Sequence, residues 1–177
     1  MTKSDIVATW TLELVEGKYI IEFIHNTLTG RRGIFVNDKQ YLRTDWMFHL
    51  LGTEIFEIGT NRCEICIDAD DFEYSYTLSV NQKKYETFIE KQSKFLHTWI
   101  YNDETLDSEF RIVMDKETMD VYVNGKMVKT ESEFGDDCTM MLFNIDEKIN
   151  GVIKTFHSGT MKKGIVQKLV INDKIIE

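Results

Sequence analysis

Val121-Tyr122-Val123-Asn124-Gly125-Lys126-Met127-Val128 is the stretch whose reading decides the fold class. Asn-Gly between two β-branched and aromatic runs is the strongest short hairpin signal, because both central residues of the turn need positive φ. Asn tolerates that conformation, and Gly adopts it without steric cost. A two-residue turn here pairs Val123 with Lys126, Tyr122 with Met127 and Val121 with Val128. The pattern recurs at Val36-Asn37-Asp38-Lys39, Val80-Asn81-Gln82-Lys83 and Ile171-Asn172-Asp173-Lys174. Repeated hairpins of one form specify an architecture and carry no chemistry of their own.

Working outward, the runs between these turns alternate as strands do. Trp10, Leu12 and Leu14 share one face of the segment Ile6 to Leu14, and Tyr19, Ile21 and Phe23 share one face of the next. Phe72, Tyr74, Tyr76, Leu78 and Val80 stand opposite Glu73, Ser75, Thr77 and Ser79, the pattern of a half-buried antiparallel strand. Phe88, Gln92 and Phe95 fall at helical spacing and mark the one helix candidate. Trp46-Met47-Phe48-His49-Leu50-Leu51 does not alternate. A nearly continuous apolar run is expected to be covered on both sides. If it is instead exposed, Trp46, Met47 and Phe48 are the expected protein-contact surface.

From His97 the pattern starts again. Thr98-Trp99 repeats Thr9-Trp10, Glu109-Phe110 repeats Glu22-Phe23, and Val121 to Lys126 repeats Ile34 to Lys39. Phe143-Asn144-Ile145 repeats Phe56-Glu57-Ile58, and Leu169 to Glu177 repeats Leu78 to Glu86. These matches keep their order along both halves. They predict an all-β protein of two tandem antiparallel β-sandwich units related by internal duplication, 1–91 and 92–177. Superposed halves are expected to place Trp10 on Trp99, Asn37 on Asn124 and Asn81 on Asn172.

Composition excludes several classes of function. The chain has 177 residues with 42% hydrophobic and 29% charged, enough to bury a core and stay in solution. A net charge of −9 argues against a nucleic-acid partner, since such binding draws on Lys and Arg neutralising phosphates. Arg31-Arg32, Lys83-Lys84 and Lys162-Lys163 are too short to form basic patches. No run approaches membrane-spanning length, and residues 1–8 lack the apolar core of a signal peptide, so no membrane is expected. Three Cys without a signal peptide point to free thiols in a reducing, cytoplasmic setting.

No catalytic, cofactor or metal constellation emerges. Cys63-Glu64-Ile65-Cys66 has redox or zinc-ligand spacing, but residues three apart in a strand face opposite sides. Cys63 is therefore expected in the core and Cys66 on the other face. His25, His49, His97 and His157 have no ligand or catalytic partner at a useful spacing. The acidic groups Asp68, Asp70, Asp71 and Asp136-Asp137 lack the remaining signature of a calcium loop, and read as solvated turns.

The ordered set of stretches resembles the Fas apoptotic inhibitory molecule family nearly end to end. Asp45-Trp-Met-Phe-His-Leu-Leu-Gly52, Glu54 to Gly59, Ile67-Asp68, Tyr74 to Leu78 and Thr98-Trp99 are similar to it. So are Phe110 to Val113, Met119 to Lys126, Glu133-Phe134, Asp136-Asp137, Ser158-Gly159 and Gly164-Ile165. The chain departs from the vertebrate pattern at Tyr122-Val123, where those members carry Trp-Cys, so no thiol-dependent property is carried over. The resemblance implies an all-β, cytoplasmic, non-enzymatic protein that inhibits death-receptor-triggered apoptosis and protects against stress-induced protein aggregation. Its implied partners are death-receptor pathway components or aggregating client proteins. The alternative is a β-barrel-like protein whose mouth holds a small molecule or metal, which predicts a closed cavity with convergent polar groups.

Overall fold

The computed structural model describes residues 5–70, 73–103, 107–135, 138–157 and 164–176. The expectations placed on Asp71, Phe72, Asp136, Asp137, Ser158, Gly159, Lys162, Lys163 and the His157 side chain lie outside what is described. The chain divides into two compact units, Met1–Lys94 and Phe95–Glu177.

In the first unit, β1 (Ile6–Glu13), β2 (Lys18–Asn26), β3 (Arg31–Val36) and β4 (Lys39–Thr44) form one antiparallel sheet in sequence order. β5 (Gly52–Ile58), β6 (Asn61–Asp70), β7 (Glu73–Val80) and β8 (Lys83–Lys84) form a second. Leu12, Ile21, Phe23 and Ile34 from the first sheet meet Phe56, Ile65, Leu78 and Val80 from the second in one core. This is the layered solution for sheets that are apolar on one face. α1 (Tyr85–Phe95) follows, starting three residues before Phe88, and buries Phe88 against that core. The Tyr85 hydroxyl donates to the Thr11 carbonyl at 2.7 Å, tying α1 to β1.

The second unit repeats the plan with one addition. β9 (Leu96–Asp103), β10 (Ser108–Asp115), β11 (Val121–Val123) and β12 (Lys126–Val128) form the first sheet. The other sheet is β13 (Thr130–Phe134), β14 (Cys138–Asn144), β15 (Asn150–His157), β16 (Ile165–Ile171) and β17 (Lys174–Ile176). β14 to β17 correspond in order to β5 to β8, and β13 is extra. The register of the opening hairpin pairs Val121 with Val128 and Val123 with Lys126.

Each unit carries the repeated turn at the same two places. Asn37-Asp38, Asn81-Gln82, Asn124-Gly125 and Asn172-Asp173 all have both residues in the left-handed region, as a type I′ turn demands. The Asn does more than tolerate the backbone. Its Oδ1 accepts the Ile20 amide at 2.7 Å in the first turn, the Arg62 amide at 3.0 Å in the second and the Arg111 amide at 2.8 Å in the third. A hairpin is thereby stitched to the strand beside it, which neither Asp nor Gly at that position reproduces in full.

Trp10 pairs with Ile21 and Trp99 with Ile112, so the two tryptophans occupy equivalent positions. One sequence match does not survive. Ile21 faces Val36 as Ile112 faces Val123, which sets Phe23 against Met114 and leaves Phe110 near the position of Tyr19. The first hairpins of the two units differ in loop length, and alternation alone lets a match slide by an even number of residues. Among the described residues no helix is long and apolar enough to cross a membrane.

Candidate functional site: a clamped aromatic loop

The segment from Asp45 to Leu51 is neither strand nor helix. Trp46 is 59% exposed and Phe48 83%, their rings in edge contact with centroids 4.2 Å apart, while Met47 is half-buried. The expectation that this run is covered on both sides is corrected. The cause lies in which part of the loop is held, and it is the backbone.

Arg32 on β3 does the holding. Its side chain is only 2% exposed, and its guanidinium is engaged on two sides. Nη1 donates to Glu54 Oε1 of β5 at 2.6 Å, and Nη2 donates to the carbonyls of His49 at 2.8 Å and Leu51 at 3.0 Å. A buried cation is tolerated only when paired and hydrogen-bonded, and the planar guanidinium can meet a carboxylate and two carbonyls at once. Drawing both carbonyls inward turns the neighbouring side chains outward.

The other end of the loop is fixed as well. Arg43 Nε donates to Asp45 Oδ1 at 2.6 Å, and Arg31 Nε lies 4.0 Å from the same oxygen. The Met47 amide donates to the Thr29 carbonyl at 3.3 Å. Gly30, at φ 69°, lies so close under this loop that a Cβ there would stand 2.1 Å from the Met47 carbonyl oxygen. Glycine is required twice over, by the left-handed backbone and by the contact. Leu28, in the same turn, is almost fully exposed. Trp46 and Phe48 are thus displayed from a pinned loop, and ordering such side chains on a partner costs less when the backbone is already fixed.

His25 pairs with Arg32 across β2 and β3 and is buried against the rings of Tyr74 and Tyr76, with Tyr76 Oη 3.1 Å from its Nδ1. Burial first, and then the Arg32 charge, hold its pKa below the ordinary value.

Cys63 is fully buried in the core of the first unit, and burial pushes its thiol up to about 11. Cys66 lies on the opposite face of β6, with Sγ 3.4 Å from Asp68 Oδ2, as alternation requires. Two hollows among the described residues are open grooves. One of about 350 Å³ runs between the edges of β4 and β5, lined by Tyr19, Lys39, Tyr41 and Glu57. The other, of about 410 Å³, is lined by His97, Lys116, Met119 and Gln167 in the second unit. Sequence reasoning picked out Trp46, Met47 and Phe48 as one run but gave no signal of Arg32 as their anchor. Its partner Glu54 lies far along the chain, and Arg31-Arg32 reads locally as a solvated pair.

Duplicated β-sandwiches, here with solvent-facing aromatics on a braced loop, define a class of all-β tandem-sandwich proteins. Within that class the chain belongs to the Fas apoptotic inhibitory molecule family, whose sequence model matches residues 6–177. It is 40% identical to Fas apoptotic inhibitory molecule 1 of Bos taurus over 98% of this chain and 86% of the relative. It is 38% identical to that of Homo sapiens and 37% to that of Mus musculus, in both cases over 98% of this chain and 97% of the relative.

Proposed function

We propose that this chain is a non-enzymatic, cytoplasmic inhibitor of death-receptor-triggered apoptosis that also protects other proteins against stress-induced aggregation, working through protein–protein contacts. The observation that carries the reading is the exposure of Trp46 and Phe48 on a loop pinned by buried Arg32. Large exposed aromatics on a fixed backbone are the usual anchors of an interface. The family name supplies the apoptotic direction. Free thiols at Cys63, Cys66 and Cys138 support the cytoplasmic setting. The net charge of −9 keeps a complex with an aggregating partner in solution.

Two assays test it. In light scattering with a thermally aggregating client, the chain suppresses aggregation without ATP at sub-stoichiometric to equimolar ratio, and Trp46→Ser with Phe48→Ser removes most of that effect. In cells treated with Fas ligand, expression of the chain lowers caspase activation. Absence of both effects contradicts the proposal, and an unchanged double variant removes these side chains from it.

A further inference from the structure

The two units close one edge of their second sheet differently. In the second unit, β13 lies antiparallel on the outer side of β14, with Glu131 opposite Leu142 and Glu133 opposite Met140. In the first unit the corresponding strand is β5, with Phe56 and Ile58 where Phe143 and Ile145 stand in the other core. Among the described residues, β5 has β6 on one side and no strand on the other.

The register shows which groups this leaves open. The hairpin closes on the pair Ile58 and Asn61, so Gly52, Glu54, Phe56 and Ile58 exchange hydrogen bonds with β6. Thr53, Ile55 and Glu57 point their amides and carbonyls away from it. The Glu57 amide donates to Tyr41 Oη at 3.3 Å, which confirms the direction. Thr53 and Ile55 correspond to Met140 and Leu142, the residues that β13 covers in the second unit.

Chain that could cover β5 is present but held elsewhere. β4 stays with β3 through Arg43 and Thr44, whereas the equivalent residues are Lys129, just past β12, and Thr130, which has already crossed to pair with Phe143 of β14. Arg32 then holds the loop by the His49 and Leu51 carbonyls. The second unit has Met141 in place of Glu54, and its β10–β11 hairpin turns before the position of Arg32, with Met119 exposed in the turn, so among the described residues it has no such clamp.

We propose that the outer edge of β5 receives an extended segment of another polypeptide, added antiparallel in the seat that β13 takes on β14, with apolar side chains at alternate positions and flanking basic residues. The apolar requirement follows from Ile55, 51% exposed beside that seat, and from Leu51 and Phe48 at its entrance. The basic requirement follows from the solvent face of this sheet. Glu57, Glu64, Asp68 and Glu73 stand there against Arg62 and Lys84, and Arg62 is already bound to Glu64 at 3.0 Å. The same charge opposes a second copy of this acidic chain. The inference rests on the proposed function in one respect, that the chain engages other polypeptides, and it names the edge and the chemistry that they meet.

The test uses the full chain and the peptide acetyl-Lys-Val-Thr-Val-Thr-Val-Lys-amide, followed by NMR titration of the Thr53 and Ile55 amides. Valine side chains opposite Thr53 and Ile55 put the valine amides toward β5. N-methylation of the three valines is therefore expected to weaken binding by more than about tenfold, and N-methylation of the two threonines by less than about twofold. Ile55→Pro deletes an outward donor on an edge strand, where proline is accommodated, and is expected to weaken binding to a similar degree. Equal binding of the two N-methylated peptides overturns the proposal, even if the proline variant fails to fold. So does a concentration-dependent dimer with Thr53 and Ile55 in its interface, which would make the occupant a second copy. If the peptide binds as described but the chain leaves client aggregation unchanged, the edge stands and the protective function falls. If folded Ile55→Pro suppresses aggregation as well as the parent chain, protection stands and the edge falls.

Discussion

The two units are built on one plan and spend the same stretch of chain in opposite ways. After its fourth strand the second unit sends residues 130–134 across to the other sheet, where β13 closes the edge of β14. After β4 the first unit makes the Asp45–Leu51 loop, which leaves Trp46 and Phe48 in solvent and β5 at the edge. The difference traces to one buried ion pair. Arg32 and Glu54 meet at 2.6 Å in the first unit, whereas in the second Met141 takes the place of Glu54 and the β10–β11 hairpin turns before the position of Arg32, with Met119 exposed in that turn. Where a duplicated fold keeps an expensive buried charge on one side only, the charge is doing something other than stabilising the fold, because a well-packed apolar pair stabilises as well or better. Here it positions a loop.

The largest effect is expected on cutting that pair. Glu54→Met leaves the Arg32 guanidinium buried without its carboxylate and should cost about 3–5 kcal/mol in chemical denaturation. Arg32→Met combined with Glu54→Met replaces the buried pair with apolar side chains of similar length and should recover most of that loss. A double variant no more stable than the single one would show that the pair stabilises the fold beyond what an apolar replacement supplies. Next comes the floor of the loop. Gly30→Ala sets a Cβ into the Met47 carbonyl at a left-handed position, and should cost at least about 2 kcal/mol and broaden the Trp46 and Phe48 resonances. A third variant probes the equivalent cores. Phe56 faces Cys63 in the first unit and Phe143 faces Gly151 in the second. An alanine Cβ at Gly151 would lie 2.6 Å from the Phe143 ring, so Gly151→Ala should cost about 1–3 kcal/mol from overpacking, while Cys63→Ala removes only a thiol.

The smallest effect is on pH. Among the described residues each unit has one histidine whose pKa is lowered first by burial, His25 with the Arg32 charge added and His97 against Trp99 with Gln167 favouring protonation and Lys116 opposing it. For both, the unfolded chain takes up protons before the folded one does. Stability is therefore full above the unfolded value of about 6.5 and falls as pH drops from there toward the folded value. His25→Gln should flatten part of that slope in thermal melts between pH 7 and pH 5 and leave the part due to His97. An unchanged slope would mean that His25 binds protons equally in the folded and the unfolded chain.

Much of this architecture can be read from the sequence because it rests on local chemistry. Four Asn-led turns, strict alternation and the ordered repeats give all-β sandwiches and the register of the Asn124-Gly125 hairpin. Opposite-face placement of Cys63 and Cys66 follows from alternation alone. What escapes is whatever depends on a distant partner. Nothing near Trp46 shows that its neighbours' carbonyls are claimed by Arg32, and a continuous apolar run looks like buried chain. The Glu22-Phe23 match to Glu109-Phe110 fails for a related reason, since alternation fixes the face of a residue and not its place along the strand. β13 carries Glu131, Ser132 and Glu133, a polar stretch with no sign that it pairs at all.

β5 has an open edge where β14 has a closed one, and amide hydrogen exchange compares the two within a single sample. Thr53 and Ile55 are expected to exchange rapidly while Met140 and Leu142, which lie in a central strand of the other unit, are protected by at least about 100-fold more. Equal protection of the four amides in the isolated chain would contradict the open edge, because something would then already cover β5.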